Sequence, residues 1–335
     1  MSEAPPSSSG DLDRQLQEVE REIDRLRRLT RDQSHRVDGE LATLDVRAEE
    51  LRAQIYTHPS PWHIVQLARH LQRPRLVDYV AALFTDVAEL HGDRSYGDDP
   101  AMFAALAQFE DQPVVVIGHY KGRNTKENLA HNFGMPYPEG YRKALRVMRL
   151  AEKFHYPVVT FIDTQGAFPG DEAEARGQAE AIARNIAEMS GLKTPIAVII
   201  TGEGGSGGAL AIAIGDVVLM LQYAIFTVIS PEGCAAILWR DVSRAREAAE
   251  ALKLTATDLQ GLGVVDEIIP EPLGGAHRDP DAVINAVRAA LGRHLATLRA
   301  VPIEALLGQR YEKYRLMGQN PVIAQSQIGG NGGQR

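Results

Sequence analysis

The feature that most constrains the fold is a glycine cluster between two apolar runs. Five glycines lie among the seven residues 202–208, after the β-branched run Ile196–Thr201 and before the Ala-rich run Ala209–Ile214. This pattern predicts a buried strand that turns directly into a helix. Glycine is needed where φ is positive or where another group approaches the backbone, and a helix N-terminus presents unpaired N–H groups. The segment therefore predicts a backbone site for an anion.

Three chemistries share this pattern, and a tight strand–helix packing turn is the structural alternative. Gly202-x-Gly204-x-x-Gly207 matches the dinucleotide fingerprint. That fingerprint requires an acidic residue about 20 positions later, at the end of the next strand. Asp216 comes too early and Glu232 lies in a Ser-Pro-Glu-Gly turn, so the dinucleotide match is weak. A packing turn alone rarely requires five glycines.

The G-x-S-x-G pattern around Ser206 also matches a nucleophile elbow. Asp241 or Asp266 followed by His277 has the required chain order, but His277 lies in a GGAHRDP loop and no HGGG-type segment is present. The third interpretation needs no side chain, because backbone N–H groups alone form an oxyanion hole for an enolate or a similar anion.

A second glycine loop favours the oxyanion hole. The predicted strand Val158–Ile162 is followed by DTQGAFPG at Asp163–Gly170. Two parallel neighbouring strands that each end in a glycine loop before a helix can direct N–H donors at one anion. We therefore expect the two loops to lie side by side.

The composition favours a soluble cytoplasmic enzyme. The chain has 335 residues, of which 44% are hydrophobic, and a net charge of −8, which disfavours extensive nucleic-acid binding. The single cysteine, Cys234, excludes a disulfide framework or a cysteine-based zinc ribbon within the chain, and no metal site is expected. We expect no signal peptide and no membrane-spanning segment.

The chain is predicted to have four parts. Residues 1–10 and 321–335 are expected to be disordered tails. Apolar residues spaced by three and four predict a helical hairpin at 11–56, either an arm for a partner or an ordinary helix pair. Residues 57–320 are predicted to form an α/β superhelix of strand–strand–helix units. Predicted strands are 114–119, 158–162, 196–201, 217–221, 225–229 and 264–269, and predicted helices are 139–154, 171–190, 231–239, 255–259 and 281–298.

Seven long motifs in one order resemble the alpha subunits of the bacterial acetyl-CoA carboxylase carboxyltransferase family. The resemblance is dense over residues 75–320 and loose in the N-terminal hairpin. The motifs lie at His91–Ala101, Gly118–Asn128, Asn132–Phe154, Phe161–Gly170, Gly202–Asp216, Ser230–Asp241 and Ile268–His277.

The resemblance implies a crotonase-like fold of repeated ββα units. It implies carboxyl transfer from N-carboxybiotin to the methyl carbon of acetyl-CoA, giving malonyl-CoA in the first committed step of fatty-acid biosynthesis. It also implies an α₂β₂ assembly with a beta chain that carries a four-cysteine zinc ribbon. A biotin carboxyl carrier protein would present the carboxybiotin, and a separate biotin carboxylase would use ATP to make it.

Matching motif positions assigns roles to both glycine loops. The implied residues are Gly207, Gly208, Gly166 and Ala167 as backbone oxyanion donors, and Gly204 and Gly205 as residues that shape the turn. The alpha-chain loop is expected to serve biotin, and the beta chain to serve the acyl-CoA. We expect the Ser206 hydroxyl to be structural and to cap the helix that starts there.

The basic loop with Lys121, Arg123 and Lys126 has two interpretations. Its cations contact CoA phosphates or the partner chain, or they form a solvated loop in ion pairs. A stand-alone hydratase or isomerase is a rival function, and it would need a carboxylate near the enolate, for which Glu203 and Asp171 are the candidates. A non-enzymatic scaffold organised around the hairpin is a third possibility.

The chain departs from the family pattern at four positions. Gln165 stands where Pro is usual, Phe168 where Tyr is usual, Asn124 where an acid is usual and His131 where Arg is usual. We expect a looser turn, the loss of a hydroxyl and the loss of local salt bridges, with no change to the backbone donors.

Overall fold

The computed structural model of the protein describes residues 9–29 and 38–318. Most of the two predicted tails and the polar break of the hairpin lie outside the described residues, at 1–8, 319–335 and 30–37. The domain boundaries at residues 57 and 320 stay predictions.

Two long helices, α1 (Ser9–Leu29) and α2 (Asp38–Tyr56), precede the sheet. Five of their buried side chains share one cluster, and all five lie at the apolar positions spaced by three and four: Leu16, Ile23, Ala48, Leu51 and Ile55. Arg52 of α2 binds Glu20 of α1 at 2.6 Å, which adds an ion pair across the helix pair. Arg278 binds Glu49 and so connects α2 to the main body of the chain.

An eight-stranded mixed sheet organises the described residues that follow. Its strands are β1 (Thr85–Glu89), β2 (Met102–Phe109), β3 (Gln112–His119), β4 (Val158–Thr164), β5 (Ile196–Gly205), β6 (Val217–Leu221), β7 (Ile225–Thr227) and β8 (Glu267–Ile269). The order is β1-β2-β3-β4-β5-β6-β8, and β7 pairs with the end of β5. Strands β1 to β3 are antiparallel neighbours, whereas β3, β4, β5, β6 and β8 run parallel.

Every residue of β4, β5 and β6 is buried. This is expected of apolar parallel strands that are covered on both faces. The helices around the sheet are α3 (Pro61–Ala68), α4 (Leu76–Leu83), α5 (Thr125–Ala130), α6 (Pro138–Phe154), α7 (Asp171–Ala175), α8 (Gln178–Gly191), α9 (Ser206–Leu210), α10 (Pro231–Trp239), α11 (Ala245–Ala251), α12 (Ala256–Gly261), α13 (Pro280–Arg299) and α14 (Ile303–Leu316).

Strands β3 to β6 confirm the predictions for the centre of the sheet, and four other predictions were wrong in extent. The helix predicted at 171–190 is broken between α7 and α8, where Gly177 has a φ of 85°. The Ala-rich run after the glycines is helical only to Leu210 and continues as turns. Strands β7 and β8 are each three residues long, shorter than the apolar runs that contain them.

Candidate active site

The ends of β4 and β5 bring two glycine turns into backbone contact. We call residues 204–208 the first turn and residues 164–170 the second turn. The two strands are parallel neighbours, so their carboxyl ends meet. A β-carbon at Gly208 would lie 2.2 Å from the backbone nitrogen of Ala167, so only glycine fits there. The expectation that the two loops lie side by side is confirmed.

The first turn is strained at its centre. Ser206 has a φ of 52°, a left-handed conformation that costs a non-glycine residue about 1–2 kcal/mol and that is often found at functional sites. Gly205 precedes it and lies against the second turn, since a β-carbon there would be 2.1 Å from the Gln165 carbonyl oxygen. The expectation that Ser206 caps α9 was wrong, because Ser206 is the first helical residue and Gly205 occupies the N-cap position.

The second turn is shaped by side chains. The Thr164 hydroxyl accepts from the Gly166 N–H at 3.1 Å and donates to the Gly166 carbonyl at 2.7 Å. The Phe168 ring stacks on Tyr137 with 4.3 Å between ring centroids. The Phe168 N–H donates to the Pro136 carbonyl at 3.0 Å, which ties the turn to the start of α6.

A cleft of about 880 Å³ opens at the first turn and is rich in cations. Residues that line it include Arg69, Arg75, Lys121, Arg123, Gln165 and Ser206. Of the predicted basic loop, Lys126 does not line this cleft and is exposed on α5. A second, apolar groove of about 350 Å³ lies beside Ser206 and Gly207, between Leu210, Phe226 and Leu262.

Asp163, near the carboxyl end of β4, is a buried anion beside these cations. Its carboxylate lies 2.7 Å from an Arg75 guanidinium nitrogen and 3.4 Å from Lys121 Nζ, and it accepts from the Glu203 N–H at 3.2 Å. Burial would raise the pKa of Asp163, but Lys121, Arg75 and this N–H outweigh burial and lower the pKa to about 2. Asp163 therefore stays ionised and ties β4 to β5 next to the turns.

Glu203, near the end of β5, is held by Arg69. Two Arg69 nitrogens lie 2.9 and 2.7 Å from Glu203 Oε1, and a third lies 2.7 Å from Glu232. A carboxylate engaged in this way is a poor general acid or base for the hydratase hypothesis. Asp171, the other candidate, is exposed at the start of α7 and does not line the cleft.

One short segment, residues 69–75, supplies three arginines that sequence reasoning missed. Besides Arg69 and Arg75, it contains the buried Arg73, whose guanidinium binds both Glu271 oxygens at 2.8 and 2.6 Å. Removing one partner of a fully buried ion pair costs about 3–5 kcal/mol. The acidic partners lie 88 to 198 residues later in the chain, so no local pattern reveals them.

The groups required for a serine nucleophile are dispersed. His277 stacks on His70 with 3.6 Å between centroids and does not line the cleft that contains Ser206. Asp241 accepts from a backbone N–H in the turn after α10, and Asp266 accepts from a backbone N–H of β6. None of the three candidate partners, His277, Asp241 and Asp266, is placed to activate Ser206 as a nucleophile.

The acids considered for a dinucleotide site have structural partners. Asp216 binds Arg310 at 2.8 and 2.7 Å and accepts from the Ile196 N–H, at the amino end of β5 and away from the glycine turns. Glu232 pairs with Arg69. Neither is placed as the ribose acceptor of a dinucleotide fold.

Two of the departures from the family pattern make specific local contacts. Asn124 caps α5 by accepting from the Glu127 N–H at 3.0 Å. His131 Nδ1 donates to the Pro100 carbonyl at 2.6 Å, and its ring stacks on Tyr120. Both positions therefore make specific hydrogen bonds, which the expectation of lost salt bridges did not include.

Comparison with known proteins decides the family. The model of the family described as acetyl co-enzyme A carboxylase carboxyltransferase-like matches residues 9–318. The chain belongs to this family. A Geobacter sulfurreducens relative named acetyl-coenzyme A carboxylase carboxyl transferase subunit alpha is 59% identical over 273 residues, which is 82% of this chain and 86% of the relative. A relative of the same name from Thioalkalivibrio sulfidiphilus is 54% identical over 308 residues, which is 92% of this chain and 96% of the relative.

Solved structures of lower identity share the fold of this carboxyltransferase-family chain. Transcarboxylase 12S with methylmalonyl-coenzyme A bound is 19% identical, with a TM-score of 0.56 over 72% of this chain and 46% of that chain. A Pseudomonas malonate decarboxylase hetero-tetramer in complex with coenzyme A is 18% identical, with a TM-score of 0.55 over 70% of this chain and 91% of that chain. The expected crotonase-like α/β fold is confirmed. Within the described ranges, no helix has both the length and the apolar character to cross a membrane.

Proposed function

We propose that this chain is the alpha half of an acetyl-CoA carboxylase carboxyltransferase, which moves a carboxyl group from carboxybiotin to acetyl-CoA and forms malonyl-CoA for fatty-acid biosynthesis. The observation that carries the proposal is the backbone contact between the two glycine turns, where Gly208 meets Ala167 beside a cation-rich cleft. Backbone donors suit a reaction whose barrier lies in building negative charge on oxygen.

Negative charge develops at two oxygens during this transfer, the thioester oxygen of the enolate and the ureido oxygen of biotin. The N–H groups of Gly207 and Gly208 are the proposed donors of the first turn, with Gly166 and Ala167 in the second. Because the Gly166 N–H donates to Thr164 in this conformation, Ala167 is the stronger candidate in the second turn. One oxyanion donor is worth about 10²–10³ in rate.

Carboxybiotin supplies the carboxyl group, and its freed nitrogen accepts the α-proton. A C–N bond and a methyl C–H bond break while a C–C bond and an N–H bond form, so no further base is required. We assign no proton transfer to Glu203, because Arg69 binds its Oε1 twice. The role of Glu203, Asp163 and their cations is to hold the ends of β4 and β5 in place.

The described cleft is half of a larger site. The chain works in a multi-subunit complex with a beta subunit, and we propose an α₂β₂ assembly in which zinc is confined to the beta chain. The first turn serves biotin and the beta chain serves the acyl-CoA. A biotin carboxyl carrier protein delivers carboxybiotin, a biotin carboxylase uses ATP to make it, and the complex is cytoplasmic.

The exposed cations of the basic loop are assigned to the phosphates of CoA. Arg123 is exposed and pairs with Asp78 of α4, while Lys126 is exposed on α5. Lys121 points inward, with its Nζ 3.4 Å from Asp163, and belongs to the ion-pair network beside the turns.

Malonyl-CoA formation from acetyl-CoA and carboxybiotin tests the function, measured with this chain alone, with the cognate beta chain alone and with their mixture. We expect turnover only in the mixture, because each chain alone lacks half of the site. Hydration of an enoyl-CoA by this chain alone would favour the hydratase, and labelling of Ser206 by a fluorophosphonate would favour the serine hydrolase. An assembled mixture that forms no malonyl-CoA would overturn the proposal.

A further inference from the structure

The carbonyl group of Gly208 leaves the hydrogen-bond ladder of α9. In a regular α-helix it would accept from the N–H four residues later, that of Ile212. The Ile212 N–H donates to the Ala209 carbonyl at 3.2 Å instead, and the Ala213 N–H donates to Leu210 at 3.0 Å, as in a 3₁₀ turn. Gly208 is buried, so its carbonyl needs another donor.

Two side chains from different elements supply that donor. His119 Nε2 at the end of β3 lies 3.2 Å from the Gly208 oxygen, and the Tyr141 hydroxyl of α6 lies 3.2 Å from the same oxygen. Both side chains are buried in the core. A carbonyl oxygen only accepts, so His119 carries its hydrogen on Nε2 and both groups donate.

Both donors are neutral at physiological pH. Burial lowers the pKa of His119 to about 4. Burial also raises the pKa of the Tyr141 hydroxyl well above its usual value of 10. The two hydrogen bonds therefore do not depend on a proton that is gained or lost in the working range of a cytoplasmic enzyme.

Gly208 is thus held from two sides. Its α-carbon lies against the peptide of residues 166–167 in the second turn. Its carbonyl faces His119 and Tyr141, and Tyr141 is itself fixed because Asn185 of α8 donates to its backbone carbonyl at 3.0 Å. A rotation of the first turn breaks contacts on one side or the other.

We propose that His119 and Tyr141 are positioning residues that orient the first turn for oxyanion binding. They act through the Gly208 carbonyl, and the inference rests on the proposed carboxyltransferase function. Loss of either donor lets the turn rotate and misdirects its N–H groups. These groups bind more strongly in the transition state than in the ground state, so the rotation lowers kcat more than it raises KM.

The kinetic test uses the assembled complex with three variants. Tyr141→Phe keeps the ring and removes one donor, His119→Leu removes the other, and His119→Gln retains an N–H near the position of Nε2. We expect Tyr141→Phe and His119→Leu each to lower kcat about 10-fold, with both KM values within about two-fold of wild type. We expect His119→Gln to recover most of that loss.

Tyr79→Phe is the matched control. Tyr79 of α4 is completely buried, and its hydroxyl has no hydrogen-bond partner within the described part of the chain. Its removal tests the general effect of deleting a buried phenol hydroxyl. We expect the wild-type kcat for this variant.

Carbonyl chemical shifts report the contact without relying on catalysis. The sequence contains three Gly–Ala pairs, at residues 166–167, 208–209 and 275–276. A full chain labelled with carbonyl-¹³C glycine and ¹⁵N alanine therefore gives three cross peaks in an HNCO spectrum of the complex. Tyr141→Phe should shift the Gly208 carbonyl and leave Gly275 in place, whereas Tyr79→Phe should move none of them.

The outcomes separate this inference from the function on which it rests. A wild-type complex that forms no malonyl-CoA would overturn the function itself. In an active complex, a shifted Gly208 carbonyl with an unchanged kcat in Tyr141→Phe would make the contact purely structural and overturn the positioning role. An unmoved carbonyl would disprove the hydrogen bond. If His119→Leu does not assemble, Tyr141→Phe and His119→Gln decide the question.

Discussion

The two glycine turns lie in contact, but their backbone shapes are fixed in different ways. The shape of the first turn depends on missing side chains, because Gly205 and Gly208 have no room for a β-carbon. The shape of the second turn depends on side chains, since Thr164 brackets the Gly166 peptide with two hydrogen bonds and Phe168 stacks at the start of α6. One turn is therefore fixed by sterics, and the other by contacts.

This difference bears on the two expected departures from the family pattern that lie in the turns. Gln165 and Phe168 both lie in the second turn, whereas the first turn carries none of the four departures that the resemblance implies. More than one kind of side chain can make a contact such as a ring stack. Where backbone atoms lie about 2 Å from the position of a β-carbon, every residue except glycine is excluded. We therefore expect substitutions to be tolerated better in the second turn than in the first.

The largest expected effect comes from adding one methyl group to the first turn. Gly208→Ala would push the turn away from Ala167, and we expect kcat to fall by about 10²–10³, the value of a lost oxyanion donor. The measurement is malonyl-CoA formation by the assembled complex, with size-exclusion chromatography to verify assembly. Gly308→Ala in α14 is the matched control, because nothing lies within 4 Å of its β-carbon position. Near-normal kcat in Gly208→Ala would refute the steric account.

The second expected effect is a loss of stability in acid, caused by His119, which binds the first turn. The pKa of His119 is lowered by burial to about 4 in the folded chain, against 6.5 when exposed. Between these values the unfolded chain binds a proton that the folded chain excludes, so the free energy of unfolding falls as pH drops from 6.5 to 4. The loss is roughly 3 kcal/mol. The contribution of His119 to the free energy of unfolding is fully present above pH 6.5.

Urea unfolding of the full chain at several pH values measures this loss. His119→Gln removes the titrating group, so its free energy of unfolding should fall less steeply with acid than that of the wild type. Equal slopes for the two proteins would show that His119 does not exclude the proton.

The smallest expected effect concerns the second turn. Thr164→Val keeps the shape of the side chain but leaves the Gly166 N–H without its acceptor, at a cost of about 1 kcal/mol. We expect kcat to fall about five-fold and Thr164→Ser to restore it. A loss as large as that of Gly208→Ala would mean that the two turns are equally rigid, and the comparison would fail.

The centre of the sheet and the adjacency of the two turns could be predicted from the sequence. Apolar β-branched runs between turn signals, such as Val158–Ile162 and Ile196–Thr201, leave few alternatives to buried parallel strands. The backbone of Ser206 could not be predicted, because nothing in its local sequence requires the positive φ that it adopts. The break at Gly177 was missed because the apolar spacing continues across it.

The supports of the site were beyond sequence reasoning for a physical reason. The topology of the sheet determines the partners of Arg69, Arg73 and Arg75. The spacing of residues along the chain does not reveal these pairs. His119 lies within a quoted motif, but its partner is a backbone carbonyl, which every residue possesses. Only the arrangement in space distinguishes the carbonyl of Gly208 from the others.

The arginines of residues 69–75 also fix an order of events during synthesis. Arg75 meets Asp163 after 88 further residues, and Arg73 meets Glu271 only after 198. On a ribosome that adds about 5–20 residues per second, Arg73 waits at least about 10 s for its carboxylate. The nascent chain therefore carries an unpaired charge destined for its interior until Glu271 has been added, well after Asp163 and Glu203 are available to Arg75 and Arg69.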